Sequence, residues 1–163
     1  MPKQHRKKRL LPLHPRRLRG RVDSDTFFST VKSIRSNKCV QFFVHVNSDY
    51  LFVRCMQREA HSHGAYQDFV REVGAPQVII TDNSQTQTGL KWEATSRSII
   101  TKQQKFASCN QNQSKAERCI QDIKHKIVHV LQRAKAPLEF WCYALIFIVD
   151  WRLASIENMN GLV

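Results

Sequence analysis

Extended runs of apolar residues fill the first third of the chain and are separated by short polar turns. Residues 21–34, 39–47 and 50–57 are rich in Val, Phe, Ile and Thr. The tripeptides Ser36-Asn37-Lys38 and Asn47-Ser48-Asp49 supply turn residues between these runs. The pattern predicts three consecutive strands joined by short turns, which is a meander.

The hydrophobic period changes after residue 58. Ala65, Phe69 and Val73 are four positions apart, which is typical of an amphipathic helix over 59–73, and Gly74 follows them. Residues 77–81 form a short, almost wholly apolar run of the kind found in strands buried on both faces. We expect a second helix over 89–98 and a fifth short strand over 99–103.

The last third of the chain has the pattern of two helices. The first runs from residue 114 to about 134, and its apolar stripe consists of Ile120, Ile123, Ile127, Leu131 and Ala134. Pro137 opens the second, whose body is apolar on nearly every side and is therefore expected to be largely buried. The predicted fold class is α/β, with a mixed five-stranded sheet whose first three strands are antiparallel and which is flanked by helices.

The charge of the chain points to a polyanionic partner. Lys and Arg number 26 against 13 Asp and Glu, which favours nucleic acid first and an anionic membrane surface second. Nine of these bases and no acid lie in residues 1–21, so residues 1–20 are predicted to be a disordered basic arm on a domain over 21–163. Its role is open between phosphate contact, through Arg16, Arg17 and Arg19, and a solubilising or nuclear-targeting tail.

Cysteine usage and the absence of targeting signals favour an intracellular protein, nuclear or cytoplasmic. The five cysteines are odd in number and none has C-x-x-C spacing, which argues against a disulfide framework and a structural zinc site. The charged start has no apolar secretory segment. The longest apolar run, residues 140–149, is too short to span a bilayer.

Three acidic residues stand at positions that a hydrophobic core would not select. Asp25 interrupts the first strand, Asp82 follows the buried strand, and Glu117 opens the long helix. In open α/β folds the strand ends meet at one rim, where ligands bind. Carboxylates gathered there repel one another unless a hard divalent cation neutralises them, and Mg²⁺ is such a cation.

Each acid also has a plainer interpretation, and the residues alone leave both open. Asp25 could face solvent on an edge strand, with Asp23 on the same face. Asp82-Asn83-Ser84 has good turn chemistry in its own right. Ser114 and Glu117 have the spacing of a capping box.

Three segments carry a resemblance to a known family. RGRVDSDTFFSTVKSIRSNKCVQFFV, ITDNSQTQTG and NQNQSKAERCIQDIK together resemble the integrase core of Copia-type retrotransposons, especially elements found in diatoms and related algae. The resemblance covers roughly residues 18–155. It implies a ribonuclease-H-like fold of the retroviral integrase superfamily and a DDE triad of acidic residues that binds divalent metal.

Carried over by motif, the triad is Asp25 in SDTFF, Asp82 in ITDN and Glu117 in KAER, with 35 positions between the last two. The resemblance implies two Mg²⁺ or Mn²⁺ ions, 3′-end processing and strand transfer of DNA. It also implies DNA contacts by Gln121 and Lys124, which share a helix ridge with Glu117, a homo-oligomer, and neither a membrane nor a small-molecule cofactor. We expect the carboxylates of Asp25 and Asp82 to lie within roughly 4–8 Å of each other.

The resemblance covers a core, because the family's full integrase also carries an N-terminal zinc domain that this sequence does not supply. The domain over 21–163 is therefore expected to be truncated relative to that integrase. Two other functions remain open for the same fold. One is a catalytically inactive, nucleic-acid-binding relic, and the other, which the KAER helix start disfavours, is a ribonuclease-H-type nuclease.

Overall fold

The computed structural model describes residues 16–81, 89–105 and 115–160 of the chain, with side chains up to 155. Its strands are β1 (Arg17–Phe28), β2 (Cys39–His45), β3 (Leu51–Met56), β4 (Ala75–Thr81) and β5 (Lys102–Lys105). Its helices are α1 (Ser62–Glu72), α2 (Leu90–Ser98), α3 (Lys115–Ala134) and α4 (Trp141–Asn160). The predicted order of strands and helices is confirmed.

The five strands form one mixed sheet in the order β3-β2-β1-β4-β5. β1 pairs antiparallel with β2, and β2 pairs antiparallel with β3, so the predicted meander is confirmed. β4 lies parallel to β1 and β5 lies parallel to β4. The central strand is therefore β1, which pairs with a neighbour on each side.

The boundaries of β1 differ from the prediction at both ends. The strand begins at Arg17, so the last four residues assigned to the arm belong to the sheet, where they lie beside the start of β4. The pairing of β1 with β4 shifts register between Leu18 and Arg21, where Gly20 has a φ of 105°. The strand ends at Phe28, because Ser29 and the residues after it turn back toward β2 through a bond from the Ser33 N–H to the Asn37 carbonyl.

Each face of the sheet is covered by two helices. On one face, α3 and α4 pack over Val40, Phe42 and Val44 of β2. On the other face, α1 and α2 pack over Val22 and Phe43. The second layer is held by stacked aromatic rings, with the Phe43 and Phe69 centroids 4.7 Å apart and the Tyr66 and Trp92 centroids 4.4 Å apart. Helices thus pack on both faces of the sheet, as the predicted fold class requires.

One predicted feature of α4 is wrong. This helix is not buried on nearly every side, because one row of apolar side chains faces solvent. The exposed row consists of Tyr143, Ile146, Phe147 and Trp151. The opposite face, which includes Leu145, Ile148 and Val149, packs into the core with α3. No helix in the described ranges is long and apolar enough to cross a membrane.

Candidate active site

The central strand β1 presents two carboxylates on the face of the sheet that α3 covers. Val22 points into the layer of α1 and α2, whereas Phe27 packs against the layer of α3 and α4. Because side chains alternate along a strand, Asp23 and Asp25 share the face of Phe27. The edge-strand interpretation of Asp25 is wrong, since β1 lies between β2 and β4.

Asp23 is fully buried and is engaged by three donors. The guanidinium of Arg21 binds both of its oxygens, with Nε 2.5 Å from Oδ1 and Nη2 2.9 Å from Oδ2. The backbone N–H of Lys115, at the start of α3, also donates to Oδ2 at 3.0 Å. The hydrogen bond to Asp23 raises the pKa of Arg21 above its ordinary value. Asp23 therefore fixes the N-terminus of α3 against the central strand.

Asp25 lies two residues after Asp23 on β1 and is half-buried. Its Oδ1 accepts a hydrogen bond from the backbone N–H of Thr26 at 2.7 Å. The buried Gln41 of β2 holds the surrounding backbone, because its Nε2 donates to the Asp25 carbonyl at 3.2 Å and to Ser24 Oγ at 2.8 Å. Gln41 Oε1 also accepts a hydrogen bond from Thr26 Oγ1 at 2.8 Å.

Asp23 and Gln41 are the supporting residues that sequence reasoning missed. In the sequence, Asp23 is distinguished only as a neighbour of Asp25, and Gln41 is a single polar residue in an apolar strand. A buried amide in the middle of such a strand is a usable signal, because a buried polar group requires hydrogen-bond partners nearby. The arginine two residues before Asp23 was a second signal, since residues two apart share a face of a strand.

Helix α3 runs alongside β1 on this face. At one end the Lys115 N–H binds Asp23, and further along the Lys124 ammonium lies 4.9 Å from the centre of the Phe27 ring. Glu117, in the first turn of α3, and Gln121 lie between these two anchor points and are exposed. The structure therefore brings the ridge of Glu117, Gln121 and Lys124 to the same face of the sheet as Asp25.

The third predicted acid, Asp82, lies outside the described residues, as do residues 1–15 and Ser114. Thr81, the residue before Asp82, pairs with Ser24, the residue before Asp25. The expected 4–8 Å between the two carboxylates stays a prediction, and so does the capping box of Ser114 and Glu117. Within the described ranges no three His, Cys, Asp or Glu side chains form a group that could hold a metal ion.

The predicted basic contacts fall into two groups at opposite ends of β1. The carbonyl of Arg16 accepts from the Ala75 N–H at 2.7 Å, and the Arg17 guanidinium donates to the carbonyls of Ile99 and Ile100. Arg19 is exposed on β1 nearby. Eight residues of strand separate Arg17 from Asp25, which is roughly 25 Å. The structure does not bring these arginines together with Lys124.

The topology and the two helical layers define the class to which this domain belongs. It has the ribonuclease-H-like fold, with the mixed sheet order and flanking helices of retroviral integrase catalytic cores. No protein-family model matches the chain. No curated protein matches it either.

Three solved structures document the shared fold. The trimeric form of the HTLV-2 integrase catalytic core domain in complex with magnesium aligns with a TM-score of 0.62 and 17% identity, over 80% of this chain and 82% of that one. The dimeric form gives a TM-score of 0.59 and 20% identity, over 77% and 82%.

The third structure is the simian T-cell lymphotropic virus intasome in complex with the PP2A regulatory subunit B56 gamma. It aligns with a TM-score of 0.64 and 15% identity, over 81% of this chain and 50% of that one. The present chain thus spans about half the length of the intasome chain. The predicted fold is confirmed, and the narrower relation to Copia-type elements stays a prediction from the sequence.

Proposed function

We propose that this chain is the catalytic core of a retrotransposon integrase, a metal-dependent polynucleotidyl transferase that processes DNA 3′ ends and joins them to target DNA. The observation that carries the proposal is that the two acids on this face of β1 have different surroundings. Asp23 is saturated by Arg21 and the start of α3. Asp25 lies on the same face of the sheet, over which α3, with Glu117 in its first turn, packs.

The donor set on this face suits a hard divalent cation. Carboxylate oxygens are the ligands that Mg²⁺ prefers, and an ion held by few carboxylates keeps positions for phosphate oxygens. The HTLV-2 cores of the same fold were solved with magnesium. In this proposal Asp25, Asp82 and Glu117 hold Mg²⁺ or Mn²⁺, and two bound ions supply activation of the nucleophile and stabilisation of the leaving oxygen.

The residues of the chain position DNA for two successive displacements at phosphorus. In the first, water adds to a phosphodiester of the element end and the 3′ oxygen leaves with a proton, which frees a 3′-hydroxyl. In the second, that hydroxyl loses its proton, adds to a target phosphate and displaces a 3′ oxygen. Neither step forms a bond to the protein, so no Ser or Cys nucleophile is required.

DNA is held by basic groups on both sides of the acids. Lys124 and Gln121 continue the ridge of Glu117, and the ammonium of Lys124 is fixed over the Phe27 ring. Arg16, Arg17 and Arg19 are exposed at the far end of β1. In this proposal the first group contacts element DNA next to the reacting phosphate, and the second extends the contact along the backbone.

The protein acts as a homo-oligomer in this proposal. The exposed row of Tyr143, Ile146, Phe147 and Trp151 is an apolar face of α4 that the described residues of one chain leave in solvent. The HTLV-2 cores of the same fold are dimeric and trimeric. A second copy of this chain is therefore the occupant proposed for that face.

Strand transfer with a labelled duplex and Mg²⁺ or Mn²⁺ tests the proposed activity. We expect the full-length protein to join the duplex to a target. Asp25→Asn and Glu117→Gln should each lower the rate by about a hundredfold or more, because each removes a charge that offsets the cations. Both variants should keep the circular dichroism spectrum of the parent protein.

Glu139→Gln is the matched control, since Glu139 is an exposed acid in the turn before α4 and should leave the rate unchanged. Parental turnover in Glu117→Gln would contradict the ligand role of Glu117 and leave only a helix cap. Specific DNA binding by the parent protein without any turnover would instead identify the inactive relic.

A further inference from the structure

A second basic site lies at the first turns of α3. A cavity of about 630 Å³ opens between the first turns of α3, the middle of α4, strand β1 and the end of β2. Its charged lining consists of Arg21, Asp23, Lys115, Arg118, Asp122 and Arg152. Four bases and two acids therefore face one concave surface.

Both acids of this cavity already have partners. Asp23 is bound by Arg21 and by the Lys115 N–H. Asp122 Oδ2 accepts from Lys126 Nζ at 2.7 Å on the neighbouring helix turn. The Lys115 ammonium in turn lies 2.5 Å from Asp49 Oδ1. These pairs leave the charges of two arginines unmatched.

Arg118 and Arg152 are those two arginines. No acidic side chain of the described residues lies within ion-pair distance of either guanidinium. Arg152 Nη1 donates to the sulfur of Cys119 at 3.4 Å. The cavity is thus prepared for an external anion.

We propose that Arg118 and Arg152 form a phosphate-binding subsite for the DNA backbone, next to the acids of the candidate active site. Guanidinium groups bind phosphate with two parallel N–H donors, which fixes the position of the anion as well as its charge. That the phosphate belongs to DNA rests on the proposed function. The location supports it, because Arg118 follows Glu117 and the cavity wall at Asp23 is about 7 Å along the strand from Asp25.

The test is equilibrium binding of the full-length protein to a labelled duplex over a series of salt concentrations, with metal chelated. Each lost phosphate contact lowers the slope of log K against log salt by about 0.9. We therefore expect Arg118→Gln and Arg152→Gln to lower the slope by about one each, and the double variant by about two. Arg133→Gln, an exposed arginine in the last turn of the same helix, is the control and should keep the parental slope.

Further variants and one further ligand distinguish loss of the subsite from misfolding, from a different anion and from failure of the proposed activity. Arg152 is half-buried, so Arg152→Lys, which keeps the charge, should retain the parental slope and shows that loss in Arg152→Gln is not misfolding. Because the metal is chelated in this measurement, the slope is read whether or not the protein carries out strand transfer. A double variant with the parental slope would overturn the subsite. Stabilisation by millimolar inorganic phosphate that the double variant loses, with no change in the DNA slope, would overturn the assignment to DNA.

Discussion

Asp23 and Asp25 are two positions apart on β1 and face the same side of the sheet, yet their surroundings separate their roles. Asp23 is fully buried, and its oxygens are bound by Arg21 and by the start of α3. Asp25 is half-buried, and its Oδ1 is bound by the adjacent backbone N–H. Asp23 is thus a structural carboxylate, and its position next to Asp25 places the first turn of α3 at the candidate active site.

This difference predicts that the same substitution lowers the free energy of unfolding much more at one position than at the other. Asp23→Asn keeps one acceptor oxygen, but its amide NH₂ group cannot accept a hydrogen bond from the Arg21 guanidinium or the Lys115 N–H, so we expect the free energy of unfolding to fall by about 2 kcal/mol. Asp25→Asn keeps an amide oxygen that can accept from the Thr26 N–H, so we expect a smaller loss of about 0.5 kcal/mol. Urea denaturation of both variants measures the difference, and equal losses would contradict it.

At the scale of the elements, the connection from α1 to β4 depends on Gly74. This residue has a φ of +134°, and a Cβ built on it would lie 2.4 Å from the carbonyl oxygen of Arg16. The close approach allows the Ala75 N–H to bond the same carbonyl at 2.7 Å, which starts the parallel pairing of β1 and β4. The central pairing of the sheet therefore requires a residue without a side chain at this position.

Gly74→Ala should lower the free energy of unfolding by about 2 kcal/mol or more, because it combines backbone strain with a contact to a carbonyl. For a domain of this size that corresponds to roughly 4–8 °C in Tm. Gly64→Ala is the matched control, since Gly64 lies in α1 and a Cβ there meets nothing within 4 Å. It should raise stability by about 0.5 kcal/mol, and a Gly74→Ala variant as stable as the parent would contradict the argument.

At the scale of the whole molecule, the two faces of the sheet are closed but the outer face of α4 is not. Phe147 and Trp151 are 61% and 65% exposed, which is far more than the core residues on the other side of the same helix. Exposed apolar rows of this kind mark contact surfaces. The charge excess of the chain is a second, separate feature, and in the proposal above Arg118 and Arg152 use part of it to bind a DNA phosphate.

Phe147→Glu should convert the proposed oligomer into monomer, because it places a charge in the middle of the apolar row. Sedimentation velocity at several protein concentrations measures this change. Val128→Glu on α3 is the control, since Val128 is also exposed but lies outside the row. Phe147→Glu should sediment as a monomer, whereas Val128→Glu should sediment like the parent protein. A parent protein that is monomeric at all concentrations would contradict the proposed oligomer.

The sequence by itself determined the order of strands and helices, the antiparallel start of the sheet and the core face of α3. These follow from local periodicity: Ile120, Ile123, Ile127 and Leu131 are buried as predicted, whereas Ala134, at the end of the predicted stripe, is exposed. The roles of the acids Asp25 and Glu117 stay predictions from the sequence, made from their positions and the resemblance to integrase cores.

Only the tertiary structure decided which of the acids on β1 is structural. Burial and pairing depend on residues far apart in the sequence: Asp23 is 92 positions from Lys115, whose N–H it binds. The same holds for the central place of β1, which requires β4 beside it, and for the exposed row of α4, whose composition alone predicted burial. Local pattern determines what each segment becomes, whereas long-range packing determines which of its side chains remain available for chemistry.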